Sequence, residues 1–273
     1  MDNKLGVASS FFKEPMYEKW QSAVKAGITE CELGFKWELS EGGTFTKAQN
    51  LYNMLIDSGV NVSSCHLPFG HMSDISALDE ATRTTALGYY RAILDWIAAT
   101  KIGIAVIHAS YEPIQYNERP TRLATAIDSI KTLGVYAKSR GISLAVENLP
   151  RTCLGNCADD MLLLTDNGKN ASICFDANHL LIETHDVFYE KVAPYVVTTH
   201  LSDYDRTDEK HWFPGDGCID WTTLFVSFKK HGYTGRFVFE INETSSPKLN
   251  RIFTPSELVA TVNGFSNPSI NDL

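Results

Sequence analysis

The sequence predicts an α/β protein folded as one (β/α)8 TIM barrel, a single domain over residues 1–273, on three observations. Eight short β-rich runs alternate with helix-like segments, and their starts recur every 24 to 43 residues. No Pro/Ser-rich linker or block of like charge divides the chain. Eight βα units in roughly 250 residues is the size of such a barrel. An open doubly wound sheet shares the alternation, but no GxGxxG follows the first run.

The elements follow in order. KLGVAS (4–9) is the first strand, and a helical segment then ends at KAG before ITECELGF (28–35) and NVSSCHLPF (61–69). Leu87, Tyr90, Leu94 and Ile97 recur at the three-and-four spacing of one helix face, which ends at ATKIG before IAVIHAS (104–110). Leu123, Ile127, Ile130, Leu133 and Ala137 mark the next helix, closed by KSRG before ISLAVENL (142–149). The glycine ending each of these segments suits a left-handed helix cap. ASICFDA (171–177), VVTTHLSD (196–203) and RFVFEIN (236–242) complete the eight strands.

Strand periodicity then places the polar residues. Alternate residues of a barrel strand face the helices and the interior, and the C-terminal strand ends carry the site. In ISLAVENL, Ile142, Leu144 and Val146 face the helices, so Ser143, Ala145 and Glu147 point inward. RFVFEIN repeats this with Val238 and Glu240 inward, ASICFDA with Ser172, Cys174 and Asp176, and VVTTHLSD with Val196, Thr198 and His200. Four strands thus bring Glu147, Asp176, His200 and Glu240 to one mouth. Three converging carboxylates repel one another, and a divalent cation is the simplest remedy. Oxygen-rich ligands with one imidazole suit one Mn, Mg, Co or Zn ion without selecting among them.

His66 and His108 also end strands, as ligands, donors to a substrate or buried structural groups. His71, His185 and His231 lie off the strand ends and read as surface or packing residues. The stretch HLSDYDRTDEKHWFPGDGCIDW adds Asp203, Arg206, Glu209 and His211 before a Gly215-Asp216-Gly217 turn, as a long active-site loop would. Trp37, Phe69, Trp212 and Phe213 could wall a pocket, though aromatic residues pack the core or loops by default.

Composition narrows the partners. The 24 Lys plus Arg against 33 Asp plus Glu give a net charge of −9, which disfavours nucleic acid and anionic membranes as partners. MDNKLGVASS lacks the charged start and apolar core of a secretion signal, and no window approaches a membrane span, so a cytoplasmic protein is expected. Six cysteines without a CxxC pair read as reduced thiols.

From HLPFG through AVENLP, FDANHL and HLSD to PGDGCIDW and FEIN, the chain resembles the xylose isomerase-like barrels, which include sugar and sugar phosphate isomerases and epimerases, inositol-catabolism enzymes and apurinic-site endonucleases. The resemblance implies that Glu147, Asp176, His200 and Glu240 hold the metal. It also implies that Glu147 and Glu240 are the catalytic pair, exchanging a proton with a small carbohydrate, a sugar phosphate or an inositol-type ketone through an enediolate that the ion stabilises. Asp176-x-x-His179, and Arg206 six residues after His200, resemble the ketose 3-epimerase pattern, in which that His and Arg hold substrate oxygens. His66, His108 and His211 would complete the polar wall. Cys153 stands where those epimerases carry a substrate-contacting glutamate. The resemblance extends to zinc endonucleases that hold three ions with nine ligands, for which His66, His108, Glu147, Asp176, His179, His200, Glu209, His211 and Glu240 occupy comparable places. No basic DNA-penetrating loops are visible, which favours the isomerase or epimerase. The resemblance is also compatible with an inosose-type dehydratase, with a sugar-binding barrel that lacks catalysis, and with a homo-oligomer formed through the helical shell.

Overall fold

The computed structural model describes residues 4–36 and 45–266. Eight parallel strands close on themselves in the order β1 Leu5–Ala8, β2 Ile28–Gly34, β3 Asn61–His66, β4 Ile104–His108, β5 Ser143–Glu147, β6 Ser172–Asp176, β7 Val196–Leu201 and β8 Arg236–Phe239. Closure is made by β1 against β8, with Leu5 opposite Phe237. The helices α1 Tyr17–Ala26, α2 Thr46–Asp57, α3 Glu80–Ala98, α4 Arg119–Ser139, α5 Ala158–Thr165, α6 His185–Val192, α7 Trp221–Lys230 and α8 Pro255–Ser266 follow the strands one by one. This is the expected single-domain TIM barrel.

The main core lies between strands and helices, because each helix turns one apolar face inward. On α3, Tyr90, Ile93, Leu94 and Ile97 are buried, with Leu87 half-buried beside them. On α4, Ile130, Leu133 and Ala137 are buried while Leu123 and Ile127 pack at the edge. Burying one such side chain contributes about 1.5–3 kcal/mol. Asp79 and Asp220 cap α3 and α7 by accepting from the backbone N–H of Thr82 and Thr223. Gly27 ends α1 in the left-handed region at φ 110°. Gly141, at φ 75°, follows α4 as expected. Gly103 does not act as a cap: α3 stops at Ala98 and is capped by Ala99 in right-handed geometry.

Inside the barrel a small apolar layer of Ile104, Val106, Ala145 and Cys174, with Val197 against it, separates two polar ends. Strict alternation predicts Val196 inward, but it packs in the outer core, because a register shift in the β6–β7 pairing places both Val196 and Val197 before Thr198. At the N-terminal end Glu30 is neutralised by Arg236 Nε at 2.7 Å and Lys4 Nζ at 3.2 Å, and accepts from Asn61 Nδ2 at 2.8 Å. Gly6 makes room for it, since a Cβ there would stand 2.9 Å from that of Glu30. The other polar end is the mouth of the barrel.

Candidate active site

Glu147, at the end of β5 and 1% exposed, is the centre of the mouth. Its Oε2 lies 3.0 Å from His66 Nε2 and 3.2 Å from His108 Nε2. Its Oε1 lies 3.2 Å from His200 Nδ1 and 3.3 Å from His179 Nδ1. Asp176 Oδ2 is 3.3 Å from His179 Nδ1 and 4.0 Å from His200 Nδ1, and Glu240 Oε2 is 3.7 Å from His200 Nδ1. Strand-end placement explains the convergence: β4 to β7 end at His108, Glu147, Asp176 and within one residue of His200, and β8 ends just before Glu240.

Glu147, Asp176, His200 and Glu240 each offer one ligand atom within 4.8 Å of the others. Two of those residues carry atoms that are buried and without a hydrogen-bond partner, Asp176 Oδ2 and His200 Nδ1. An orphaned carboxylate oxygen beside an orphaned imidazole nitrogen is costly in a protein interior, and a divalent cation would satisfy both. The donor set therefore fits such an ion. Glu32, buried on β2, fixes the imidazole for this purpose: its Oε1 is 2.7 Å from His200 Nε2 and accepts a hydrogen bond from it, which turns Nδ1 toward the ligand set.

Backbone carbonyls orient three more histidines. Nδ1 of His66, His179 and His211 donates to the carbonyls of Leu67, Asn148 and Glu240 at 2.8, 3.0 and 3.1 Å. Each Nε2 is thereby left for another partner, a carboxylate or an ion. Four further sets meet the same 4.8 Å spacing: His66, His108 and Glu147; His179, Glu209 and His211; and two that overlap the first, His66, His200 and Glu240, and Glu147, Cys174 and His200. The four-residue set, the His66–His108–Glu147 set and the His179–Glu209–His211 set together use nine residues at the mouth, the first two sharing Glu147.

Electrostatics in the metal-free cluster follow from burial and pairing. Burial opposes charge on His66, but Glu147 outweighs it and holds the imidazole at about 9. Burial alone dominates His108 and lowers it. His179 and His200 are desolvated too, yet neighbouring acidic groups push both well up. Burial would raise Glu147, and the surrounding imidazoles, His200 foremost, hold it well below the usual carboxylate range. For Asp176 burial wins, and its carboxyl is pushed up to about 7. The hydrogen bond from His179 takes Glu209 down to about 2.

A cavity of about 280 Å³ opens over this group, lined among others by His108, Glu147, His179, His211 and Glu240. A second of about 410 Å³ adjoins it and shares His66, Phe69 and Glu240. Phe69 walls both and stacks on His108 with ring centroids 4.5 Å apart. Phe213 is buried packing, Trp212 is half-buried, and Trp37 lies outside the described residues. His71 is exposed, while His185 and His231 bond to the carbonyls of Ala177 and Ser227, so all three stay off the site as expected.

The structure brings together Glu147, Asp176, His200, Glu240, His66, His108, His179 and His211, but not Arg206. That side chain is exposed, lines neither cavity, and its guanidinium instead bears on the Tyr204 hydroxyl. Sequence reasoning missed Glu32 and Arg151. Glu32 was signalled by the inward set Glu30-x-Glu32 opposite Cys31 and Leu33; Arg151, two residues past a strand run, gave no periodic signal. Arg151 adopts φ 53°, uncommon for a residue with a Cβ, and lines the cavity. It bonds to Glu112, to Asp208 and to Glu209 Oε1, the last at 3.1 Å, while Glu209 Oε2 is 3.0 Å from His179 Nε2.

Comparison with known proteins agrees with this fold. A family model described as xylose isomerase-like TIM barrel matches residues 20–259. An uncharacterized protein of Methanocaldococcus jannaschii is 24% identical over 247 residues, covering 86% of this chain and 82% of that protein. Among solved structures, a D-tagatose 3-epimerase-like protein superposes with a TM-score of 0.78 at 20% identity over 96% of each chain. D-psicose 3-epimerase from Clostridium cellulolyticum H10 gives 0.75 at 17% identity over 96% of each chain. A 3-keto-D-glucoside 4-epimerase from E. coli gives 0.74 at 19%, over 96% of this chain and 99% of that one.

Proposed function

The chain belongs to the xylose isomerase-like TIM barrel family, and from that premise we propose that it is a divalent-metal-dependent sugar isomerase or epimerase. One observation carries the reading: Glu147 and Glu240, from different strands, bring carboxylates to one cavity and share a four-residue ligand set in which two buried atoms, Asp176 Oδ2 and His200 Nδ1, lack hydrogen-bond partners. Glu147, Asp176, His200 and Glu240 would hold the ion, Mn, Mg, Co or Zn. When bound, it would polarise a substrate carbonyl and offset negative charge developing beside it.

The protein's own groups account for the rest. Glu240, 28% exposed, and Glu147, 1% exposed, can each take or return a carbon-bound proton at a carboxylate oxygen. Return to the opposite face gives epimerisation, and return to the adjacent carbon gives isomerisation. His66, His108, His179 and His211 would form the polar wall facing substrate oxygens, and Phe69 would keep water from one wall. Arg206 enters this role only if it turns from Tyr204, and Arg151, which lines the cavity, is held by Glu112, Asp208 and Glu209.

The test is solvent deuterium incorporation into a panel of ketoses by metal-loaded protein. Incorporation is expected in the wild type and is expected to fall at least a hundredfold in Glu147→Gln and in Glu240→Gln, consistent with general-base contributions of about 10²–10⁴. Full exchange in either variant would refute the assignment. Release of water from a substrate would move the reading to a dehydratase, and binding without exchange to a sugar-binding barrel. The three adjoining ligand sets favour a second reading, a three-zinc phosphodiesterase acting on abasic-site duplex, which predicts close to three zinc ions per chain and cleavage of such a duplex.

A further inference from the structure

We infer that the site selects uncharged sugars and rejects phosphorylated ones, through a clasp in which Arg151 is consumed by Glu112, Asp208 and Glu209. The inference rests on the sugar-directed reading above and names its substrate class.

Arg151 is the one cation of Lys or Arg type lining the 280 Å³ cavity among the described residues, against the carboxylates of Glu112, Glu147, Glu209 and Glu240. A phosphate site would need its guanidinium, since a planar fork of donors suits phosphate oxygens. All three of its nitrogens already face carboxylates. Nε donates to Glu112 Oε1 at 2.7 Å, Nη1 to Asp208 Oδ1 at 2.5 Å and Nη2 to Glu209 Oε1 at 3.1 Å. One guanidinium facing three carboxylates, with the His179 imidazole on Glu209 as their other partner, leaves no cation free, and a phosphate dianion entering beside the clasp meets carboxylates rather than an open guanidinium. The clasp is also fixed. It joins three loops, after β4, β5 and β7, and its Glu209 is tied to His179.

Other cations do not substitute. Arg206 faces Tyr204, and Lys210 points to Asp205 Oδ2 at 3.8 Å. Arg119 and Arg122 are paired with Asp160 and Asp74. The adjoining 410 Å³ cavity has Lys36, exposed at its edge, with Glu32 and Glu240 in the same lining. A single solvated ammonium contributes little to holding an anion. An uncharged polyol meets none of this repulsion and finds carboxylate acceptors in the same lining.

The test compares matched pairs, D-tagatose with D-tagatose 6-phosphate and L-ribulose with L-ribulose 5-phosphate, binding to Mg-loaded full-length protein by saturation-transfer NMR. Wild type is expected to bind the free sugar at least tenfold tighter than its ester. In Glu112→Gln/Asp208→Asn, which leaves Glu209 as the one carboxylate of the clasp on Arg151, the ester is expected to gain at least tenfold relative to the free sugar. Equal or tighter binding of the ester by wild type, or binding of neither, would overturn the inference; a preference for ester that disappears in Lys36→Ala would locate the anion there and overturn it too. Deuterium incorporation run in parallel separates the two readings. Preferential binding of free sugar without exchange supports the charge selection and removes the isomerase, whereas exchange favouring the ester supports the isomerase and removes the selection.

Discussion

At the scale of single residues the site depends on which nitrogen of each histidine is free. His200 presents Nδ1 to the ligand set because Glu32 accepts a hydrogen bond from Nε2. Glu32→Gln is expected to weaken divalent-metal affinity about 10–100-fold with little change in melting temperature, as read by metal titration and calorimetry; unchanged affinity would show that Glu32 does not orient the ring. The same cluster sets a pH dependence. His66 is held at about 9, above its ordinary 6.5, and Asp176 at about 7, above its ordinary 3.8. The folded metal-free protein thus binds more protons than the unfolded chain across this range. The His66 contribution is complete below about 6.5 and is lost as pH rises through about 9, while Asp176 makes folding less favourable as pH rises from about 4 to about 7. Metal binding displaces such protons. The rise in melting temperature on adding Mg is therefore expected to grow from about pH 6 to about pH 8.5, and a rise independent of pH would contradict it. Glu147, Asp176, His200 and Glu240 were legible because strand alternation fixes which way a strand-end side chain points. Arg151 and the turned Arg206 were not, because loop dihedrals carry no period.

At the scale of elements, the segment between β7 and α7 is the part most exposed to disruption. It carries Glu209 and His211, and it is anchored by one buried carboxylate. Asp203 accepts from the backbone N–H of Tyr204, Gly215 and Ile219 and from Trp221 Nε1, at 2.9, 2.9, 3.1 and 2.8 Å. Gly217 lies against this hub, where a Cβ would stand 2.1 Å from Tyr204 O and 2.3 Å from Asp203 Oδ1. Gly217→Ala is expected to cost about 1–3 kcal/mol and to open the loop to limited proteolysis between β7 and α7. Wild-type protease resistance in that variant would show that the hub tolerates displacement. The Gly-Asp-Gly turn was legible as a turn. Its packing against Asp203, fourteen residues earlier, was not, since nothing local in PGDG names its partner.

At the scale of the molecule, closure of the sheet makes all the strand ends neighbours, so the ion would tie β5, β6, β7 and the chain after β8 together. Chelation is expected to lower the melting temperature by several degrees, since a ligand that binds only the folded state stabilises it by an amount that grows with the logarithm of its free concentration over its dissociation constant. About one divalent ion per chain by elemental analysis is the expected content, and close to three zinc ions would favour the phosphodiesterase reading instead. The sequence by itself determined the eightfold alternation, the single domain and the ligand-type residues at four strand ends, because hydrophobic period and strand polarity are local properties that survive without a neighbour. Only the tertiary structure decided that Val196 turns outward, that Glu32 on β2 meets His200 on β7 and that Arg151 is consumed by three carboxylates. Each of those depends on a register or loop contact between segments distant in the chain, and side-chain pairing across a closed barrel is set by that closure rather than by any residue's own preference.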